Sequence, residues 1–305
     1  MVADLKLAIT GATGFVGSRL LELALAEGHV IRALTRRPQP QRDRVTWIEG
    51  ALDQPGSLER LCQDADAVIH VAGVINALDA TGFEAGNVTG TAAMLAAAER
   101  AGIRRFVHVS SLAAREPRLS IYGATKAGSE ALVAASSIPS AIVRPPAVYG
   151  PGDKEMLELF RMAKRGFVLL PPRGRLSVIH ADDLARLLLA LADPSAPKGL
   201  LVEPDDGRHR GWSHEEFGRA LGRALGRRVV TVSTPRPILG LFSQFDRLLR
   251  RDRAKLTADR VAYFCHPDWM VDPGRGAPES LWQPEVETDY GLAETANWYR
   301  QQGWL

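Results

Sequence analysis

Tyr122 and Lys126 stand four residues apart in Tyr122-Gly123-Ala124-Thr125-Lys126, inside an Ala-rich stretch that predicts a helix over 122–135. At that spacing both side chains leave one face of the helix. An unperturbed phenol titrates near ~10, too high for efficient proton exchange at neutrality, and a nearby positive charge lowers that value. Upstream, Val107-His108-Val109-Ser110-Ser111 closes a short β-rich run. A hydroxyl at Ser111 can donate a hydrogen bond to an oxygen on which charge develops. The chemistry open to these groups is proton transfer to and from an oxygen, with Tyr122 as acid/base, Lys126 tuning it and Ser111 orienting the oxygen. A Tyr-x-x-x-Lys pair alone is a common coincidence; its value depends on what surrounds it.

What surrounds it is a glycine turn. Thr10-Gly11-Ala12-Thr13-Gly14-Phe15-Val16-Gly17 follows the apolar run Leu5–Thr10 and opens a helical pattern over Gly14–Ala26. Small residues there let the backbone approach a pyrophosphate, and the helix N-terminus offers unpaired N–H groups. About 20 residues after such glycines a carboxylate ordinarily accepts the ribose 2′-OH of NAD. This chain has Thr35-Arg36-Arg37 instead. Two guanidiniums suit a 2′-phosphate, which a carboxylate would repel. NADP(H) is therefore favoured, with NAD(H) as the alternative and two arginines facing water as the reading without a ligand. Lys126 would also hold the nicotinamide ribose.

The elements needed to position these groups alternate in type. Val30–Leu34, Val45–Ile48, Ala67–Val71, Phe106–Val109 and Ala141–Val143 read as strands, and Phe83–Ala101 reads as a helix stopped by Gly102. Such alternation predicts an α/β fold, a doubly wound parallel sheet with ligands at the carboxyl ends of its strands. After Gly150 the rhythm breaks. A helix over Glu155–Arg165 and a Pro171-Pro172 turn come first, then Val178–Ile179 is expected to rejoin the sheet before a helix at Leu184–Ala192. The expected organisation is a dinucleotide domain over 1–150, rejoined by 175–203. Residues 151–174 and 204–305 form a smaller, discontinuous C-terminal substrate lobe.

Composition narrows the classes. At 305 residues, 46% hydrophobic and 24% charged, the chain is an ordinary globular one. A net charge of +3 without a dense basic stripe argues against nucleic acid as a partner. Two cysteines, Cys62 and Cys265, make neither a disulfide framework nor a metal site, so a reducing, cytoplasmic setting is expected. No signal-peptide pattern and no apolar run of about 20 residues is visible.

Other features have simpler readings. His70, His108 and His180 lack metal-ligand spacing and are read as packed or capping groups, with no metal expected. Asp182 and Asp183 precede a helix and suit its N-terminus. Leu239–Leu249, followed by Arg250, Arg251 and Arg253, reads as an amphipathic helix with a basic end. Such a helix fits core or a subunit contact, and alternatively a membrane surface or a lipophilic substrate. Trp269, Trp282, Trp298 and Trp304 suit packing of the second lobe and lining of an apolar pocket equally well.

Taken in order, these residues resemble the extended short-chain dehydrogenase/reductase family, also called the NAD-dependent epimerase/dehydratase family, over roughly residues 5–190. Thr10–Gly17 resembles its nucleotide turn, Val68-Ile69-His70-Val71-Ala72-Gly73 its fourth strand and Asn87-Val88-Thr89-Gly90-Thr91 the opening of the next helix. Ser111, Tyr122 and Lys126 fall at its catalytic positions. The run Arg144–Asp153 is similar to its post-strand cofactor segment, His180–Ala185 to its later His-x-Asp-Asp pattern, and Trp298-Tyr299-Arg300 with Gly303-Trp304 to its C-terminus. The resemblance implies a Rossmann fold and a dinucleotide held by Gly11, Thr13, Gly14, Phe15, Val16, Arg36, Arg37, Leu52 and Asp53, then Val71, Ala72, Gly73, Asn87, Tyr122, Lys126, Pro145 and Val148. A homodimer would fit it.

The departures carry information too. Gly50-Ala51-Leu52-Asp53 stands where the family has Gly-Asp, leaving the adenine contact to Asp53. Pro145-Pro146-Ala147 replaces the Asn common in members acting on nucleotide sugars, and Leu176 stands where those carry Arg. Gly174–His180 looks more like the 3β-hydroxysteroid dehydrogenase and dihydroflavonol reductase branches. The expected activity is hydride transfer between NADP(H) and a secondary alcohol or ketone of an apolar small molecule. The alternatives are a nucleotide-sugar epimerase or dehydratase with transient oxidation, and a non-catalytic dinucleotide-binding assembly subunit.

Overall fold

Two strands buried from end to end set the pattern: Ala67–His70 and Arg105–Val109 expose almost nothing of any side chain. Continuous burial of this kind belongs to the centre of a parallel sheet covered on both faces. In the computed structural model, which describes residues 4–77, 79–250 and 258–305 (side chains of 245–250 and 258 excepted), the chain divides into two units. The first comprises Met1–Arg144, Leu184–Glu203 and Arg275–Trp282, and the second Pro145–Asp183, Pro204–Gly274 and Gln283–Leu305.

The first unit is built on strands β1 (Lys6–Thr10), β2 (Val30–Thr35), β3 (Val45–Glu49), β4 (Ala67–His70), β5 (Arg105–Val109) and β6 (Ser140–Val143). Leu200–Val202 completes a seven-stranded parallel sheet in the order Leu200–Val202, β6, β5, β4, β1, β2, β3. The chain leaves β1 toward β2 and β3, then crosses back to place β4 on the other side of β1. The order reverses between β1 and β4, and their carboxyl ends, Thr10 and His70, pair in register. That reversal is where open α/β sheets bind ligands.

Helices α1 (Phe15–Ala26), α2 (Pro55–Cys62), α3 (Ala80–Glu84), α4 (Gly90–Arg100) and α5 (Ile121–Ala135) connect these strands. One core packs Ala8, Leu34, Val68 and Phe106 of the sheet against Leu58, Leu61, Met94 and Ala98 of α2 and α4. Arg105 is buried within β5, its guanidinium donating to the carbonyls of Leu191 (2.7 Å) and Pro197 (2.9 Å). The helix expected over Phe83–Ala101 is interrupted: α3 runs through a π-helical turn, Ala85–Thr89, before α4. Such turns are rare and recur at functional sites.

The second unit holds β7 (Ala147–Tyr149), β8 (Phe167–Leu170), β9 (Arg175–Leu176) and β10 (Val178–His180). Val178–Ile179 does not pair with the large sheet as expected. It pairs in parallel with β7, and the edge position goes to Leu200–Val202, named β11 in chain order. Strands β12 (Trp212–Ser213) and β14 (Asp268–Trp269) flank β9, while β13 (Val230–Ser233) pairs with β8. Helix α6 (Leu157–Lys164) comes first, and most of α7 (Ala181–Ala192) belongs to the first unit. Helix α8 (His214–Ala224), opened by a Ser213/Glu216 capping box, precedes α9 (Arg236–Arg250), α10 (Ala258–Phe264) and α11 (Thr288–Gln301).

Its core gathers Tyr149, Phe160, Val168, Trp212, Phe217 and Tyr299, with Trp298 and Trp304 packed against it and edge to face with each other at 4.9 Å. Those two tryptophans therefore pack. Asp183 does more than open a helix: fully buried, its carboxylate accepts the backbone N–H groups of Glu285 (2.8 Å) and Val286 (3.1 Å). Arg251 and Arg253 lie outside the described residues.

Candidate active site

The turn after β1 is shaped by glycines that tolerate no side chain. Gly11 adopts φ +75°, and a Cβ there would stand 2.8 Å from the Ala72 nitrogen. A Cβ on Gly17 would stand 2.0 Å from the Gly11 carbonyl oxygen. Helix and strand therefore approach to backbone contact, which fixes the first turn of α1 at the carboxyl edge of the sheet. Gly14 caps α1 without any side-chain hydrogen bond, so the leading N–H groups of the helix are left to an external acceptor. Thr13 and Gly14 are exposed, and Phe15 and Val16 are half-buried. An uncapped N-terminus behind a bare glycine turn fits a pyrophosphate.

Arg36 and Arg37 follow β2 and are exposed, in no ion pair among the described residues. Thr35 steadies that corner through its hydroxyl, which donates to the Arg37 carbonyl at 2.7 Å. Asp53 is exposed. Leu52 is half-buried, and a Cβ on Gly90 would meet its Cδ1 at 2.8 Å. Gly73 lies exposed beyond β4, after half-buried Val71 and Ala72. A Cβ on Gly73 would meet Asn87 Oδ1 at 3.1 Å and Lys126 Nζ at 3.2 Å, so the bare backbone keeps open a space beside both.

Tyr122 and Lys126 lie on α5, whose start is set by Ser120 accepting the Gly123 N–H at 2.9 Å. The hydroxyls of Tyr122 and Ser111 are neighbours. Ser111 Oγ accepts the Ala113 N–H (3.2 Å), and its own proton remains to donate. Burial holds the Tyr122 phenol above its ordinary value, and the neighbouring Ser111 hydroxyl works in the opposite direction. The ammonium was expected to lower the phenol; here Lys126 Nζ is directed to the Val109 carbonyl at 2.8 Å. Burial lowers Lys126 itself to about 8, against the attraction of Glu130.

Asn87 occupies the π-helical turn and is almost wholly buried. Its amide accepts from the Val74 N–H (2.7 Å) and donates to the Val74 carbonyl (3.0 Å) and Thr125 Oγ1 (3.0 Å). It thereby ties the chain after β4 to α5, one residue from Lys126. Pro145 and Val148 fall in the second unit, before and within β7.

Beneath these groups runs a polar layer that periodicity alone did not reveal. Thr10 Oγ1 bonds His70 Nδ1 (2.7 Å) and accepts the Ala72 N–H (3.1 Å), while His70 Nε2 meets Thr91 Oγ1 (3.1 Å). His108 stacks on His70 at 5.5 Å and bonds Ser129 Oγ at 2.9 Å. Burial pushes His70 to about 3 and His108 well below its ordinary value, so both rings are neutral. Deeper on α5, Glu130 accepts from Ser110 Oγ (2.5 Å) and, through both oxygens, from Arg144 (2.8 and 2.6 Å). Arg144 also reaches buried Glu203 at 3.2 Å. The i, i+4 repeat Tyr122, Lys126, Glu130 is the one signal in the sequence that points to Glu130.

The arrangement can deliver a proton from Tyr122 to an oxygen and steady that oxygen through Ser111, beside a turn shaped for a dinucleotide. Comparison with known proteins places the family and the fold. The model of the "NAD dependent epimerase/dehydratase family" matches residues 7–200. The ceramide reductase of Caulobacter vibrioides is 38% identical over 312 residues, covering 98% of this chain and 95% of that protein. A Mycobacterium tuberculosis 3β-hydroxysteroid dehydrogenase/Δ5→4-isomerase is 27% identical over 194 residues, about half of each chain. Among solved structures, MoeE5 in complex with UDP-glucose and NAD has the same fold, with a TM-score of 0.75, 22% identity and coverage of 98% of this chain and 99% of that one. This chain belongs to the NAD-dependent epimerase/dehydratase family and is an NAD(P)-dependent oxidoreductase of the extended short-chain dehydrogenase/reductase type.

Proposed function

We propose that the protein is an NADP(H)-dependent reductase acting on a secondary ketone or alcohol of an apolar, long-chain substrate of the ceramide type. The observation that carries the chemistry is the neighbouring Ser111 and Tyr122 hydroxyls at the carboxyl edge of the sheet, with Lys126 on the same helix face. The lipid class rests on the likeness to the ceramide reductase along nearly the whole of both chains. The NADP(H) preference rests on Arg36 and Arg37, exposed at the end of β2 where a carboxylate would select NAD.

When bound, the nicotinamide supplies the hydride to the carbonyl carbon or takes it back from the alcohol. Gly11, Gly14 and the leading N–H groups of α1 hold the pyrophosphate, and Arg36 and Arg37 pair with the 2′-phosphate. Ser111 donates to the substrate oxygen and Tyr122 delivers the proton that completes reduction. Lys126 binds the ribose, where its positive charge helps return the phenol to its working state.

The test is reduction of a ceramide-type ketone dispersed in detergent, followed through NADPH absorbance, with NADH and UDP-glucose in parallel. NADPH oxidation with the lipid ketone, and slow or absent oxidation with NADH, is the expected result. Interconversion of UDP-sugars with tightly retained cofactor and no net NADPH use would replace this reading with the epimerase one. Absence of both activities, with Tyr122→Phe indistinguishable from wild type in every assay, would favour a non-catalytic subunit.

A further inference from the structure

The parallel strands β8 and β13 of the second unit bury one face and leave the other apolar face to solvent. Val168 and Leu170 point into the core, and Thr231 packs where a Cβ on Gly218 would stand 2.9 Å from its methyl. The alternate positions pair across the strands as Phe167 with Val230 and Leu169 with Val232. Phe167 is half-buried, whereas Leu169, Val230 and Val232 are exposed, Val230 at 66%. Four apolar residues in two cross-strand pairs on an outer face are the inverse of a solvated sheet surface.

The chain passes from β13 into α9 within three residues, and α9 repeats the inversion. Ile238, Leu241 and Phe242, at i, i+3 and i+4, share one face and are exposed, Leu241 at 56% and Phe242 at 52%. On the opposite face Leu239 is half-buried and Ser243 buried. A helix that shows its large apolar residues to solvent and turns a serine inward is not arranged for water.

The rim of this surface has one sign. Exposed Lys164 and Arg165 lead into β8, and exposed Arg227 and Arg228 precede β13. The parallel register brings all four to the same end of the strand pair. Exposed Arg236 opens α9. Neither residues 164–170 nor residues 227–244 contain a carboxylate.

The geometry points to the outer apolar face of β8 and β13 (Leu169, Val230, Val232) and the apolar face of α9 that follows it after Thr234 and Pro235 (Ile238, Leu241, Phe242) as docking surface for an anionic lipid bilayer. The apolar residues enter the boundary between headgroups and acyl chains, while the basic rim pairs with headgroup phosphates. A second copy of this chain is a poorer occupant, because a two-fold contact would bring together two copies of a patch whose charges are all of one sign. The surface is read from the second unit alone and stands whether or not the substrate is a lipid.

The test is sedimentation of the whole protein with vesicles of phosphatidylcholine alone and of phosphatidylcholine mixed with phosphatidylglycerol. Binding is expected to the anionic vesicles, weakened by added salt as surface attraction is screened. Arg165→Glu with Arg228→Glu, and separately Leu241→Asp with Phe242→Asp, should each lower the partition coefficient at least about tenfold. All four side chains are exposed, so NADPH binding and melting temperature serve as fold controls and should stay unchanged. Three results would each overturn the proposal: no preference for anionic vesicles, partition unaffected by both double variants, or a vesicle-free dimer that Leu241→Asp with Phe242→Asp dissociates.

Discussion

Lys126 Nζ donates to the carbonyl oxygen of Val109 across 2.8 Å, tying the helix that carries Tyr122 to the strand that leads to Ser111. The price of that tie is a buried amine, lowered from 10.5 to about 8. In the unfolded chain the amine keeps its proton up to 10.5, so between about 8 and 10.5 the unfolded state binds more protons and stability rises with pH. Below that window the penalty is constant, about 3 kcal/mol for a shift of this size. Unfolding of cofactor-free wild type and Lys126→Met should therefore show a stability difference that is constant below pH 8 and moves in favour of wild type as the pH climbs. A difference independent of pH from 7 to about 10.5 would show that the amine is not desolvated as the geometry requires.

Tyr122→Phe keeps the ring and removes the proton donor. Turnover should fall by roughly 10²- to 10⁴-fold, the usual scale for a positioned acid/base group, with NADPH affinity unchanged. Ser111→Ala should cost about 10²-fold in kcat, on the scale of one lost donor to a developing oxyanion. Equal losses in cofactor binding and turnover would instead assign both residues to the fold.

Arg36→Ala and Arg37→Ala separate the two dinucleotides. A charge-assisted bond to a phosphate is worth about 1.5–3 kcal/mol, so each change should raise the Kd for NADPH by roughly tenfold to a hundredfold. The Kd for NADH should barely move. Fluorescence titration with both cofactors checks this, and parallel losses for the two would end the case for a 2′-phosphate contact.

Arg144 pairs with both Glu130 and Glu203, whose side chains are 8% and 0% exposed. Arg144→Met removes that shared partner from both buried carboxylates, while Arg115 stands 3.6 Å from Glu203. Breaking such a group from one side costs roughly 3–5 kcal/mol. Urea unfolding should show a loss of that order for Arg144→Met and a smaller one for Glu130→Gln, which keeps a hydrogen-bonding side chain. A change below about 1 kcal/mol would mean that water already screens the group.

Local spacing carries the glycine turn, the Ser111, Tyr122 and Lys126 positions and the alternation of strands with helices, because each depends on neighbours within one or two turns of chain. The sequence by itself therefore determined a doubly wound sheet and the order of its motifs. Only the tertiary structure decided what those motifs meet. Val178–His180 pairs with Ala147–Tyr149, and two-to-four-residue strands carry no pattern that selects between sheets. The π-helical turn that buries Asn87 sits inside what periodicity reads as one unbroken helix. Asp183 looked like a helix-opening acid, yet its partners lie a hundred residues on. Glu130, Arg144 and Glu203 form one charged group from three distant segments. Each of these follows from burial: once a polar or charged side chain leaves water it must find a partner, and that partner is supplied by the packing of the whole chain.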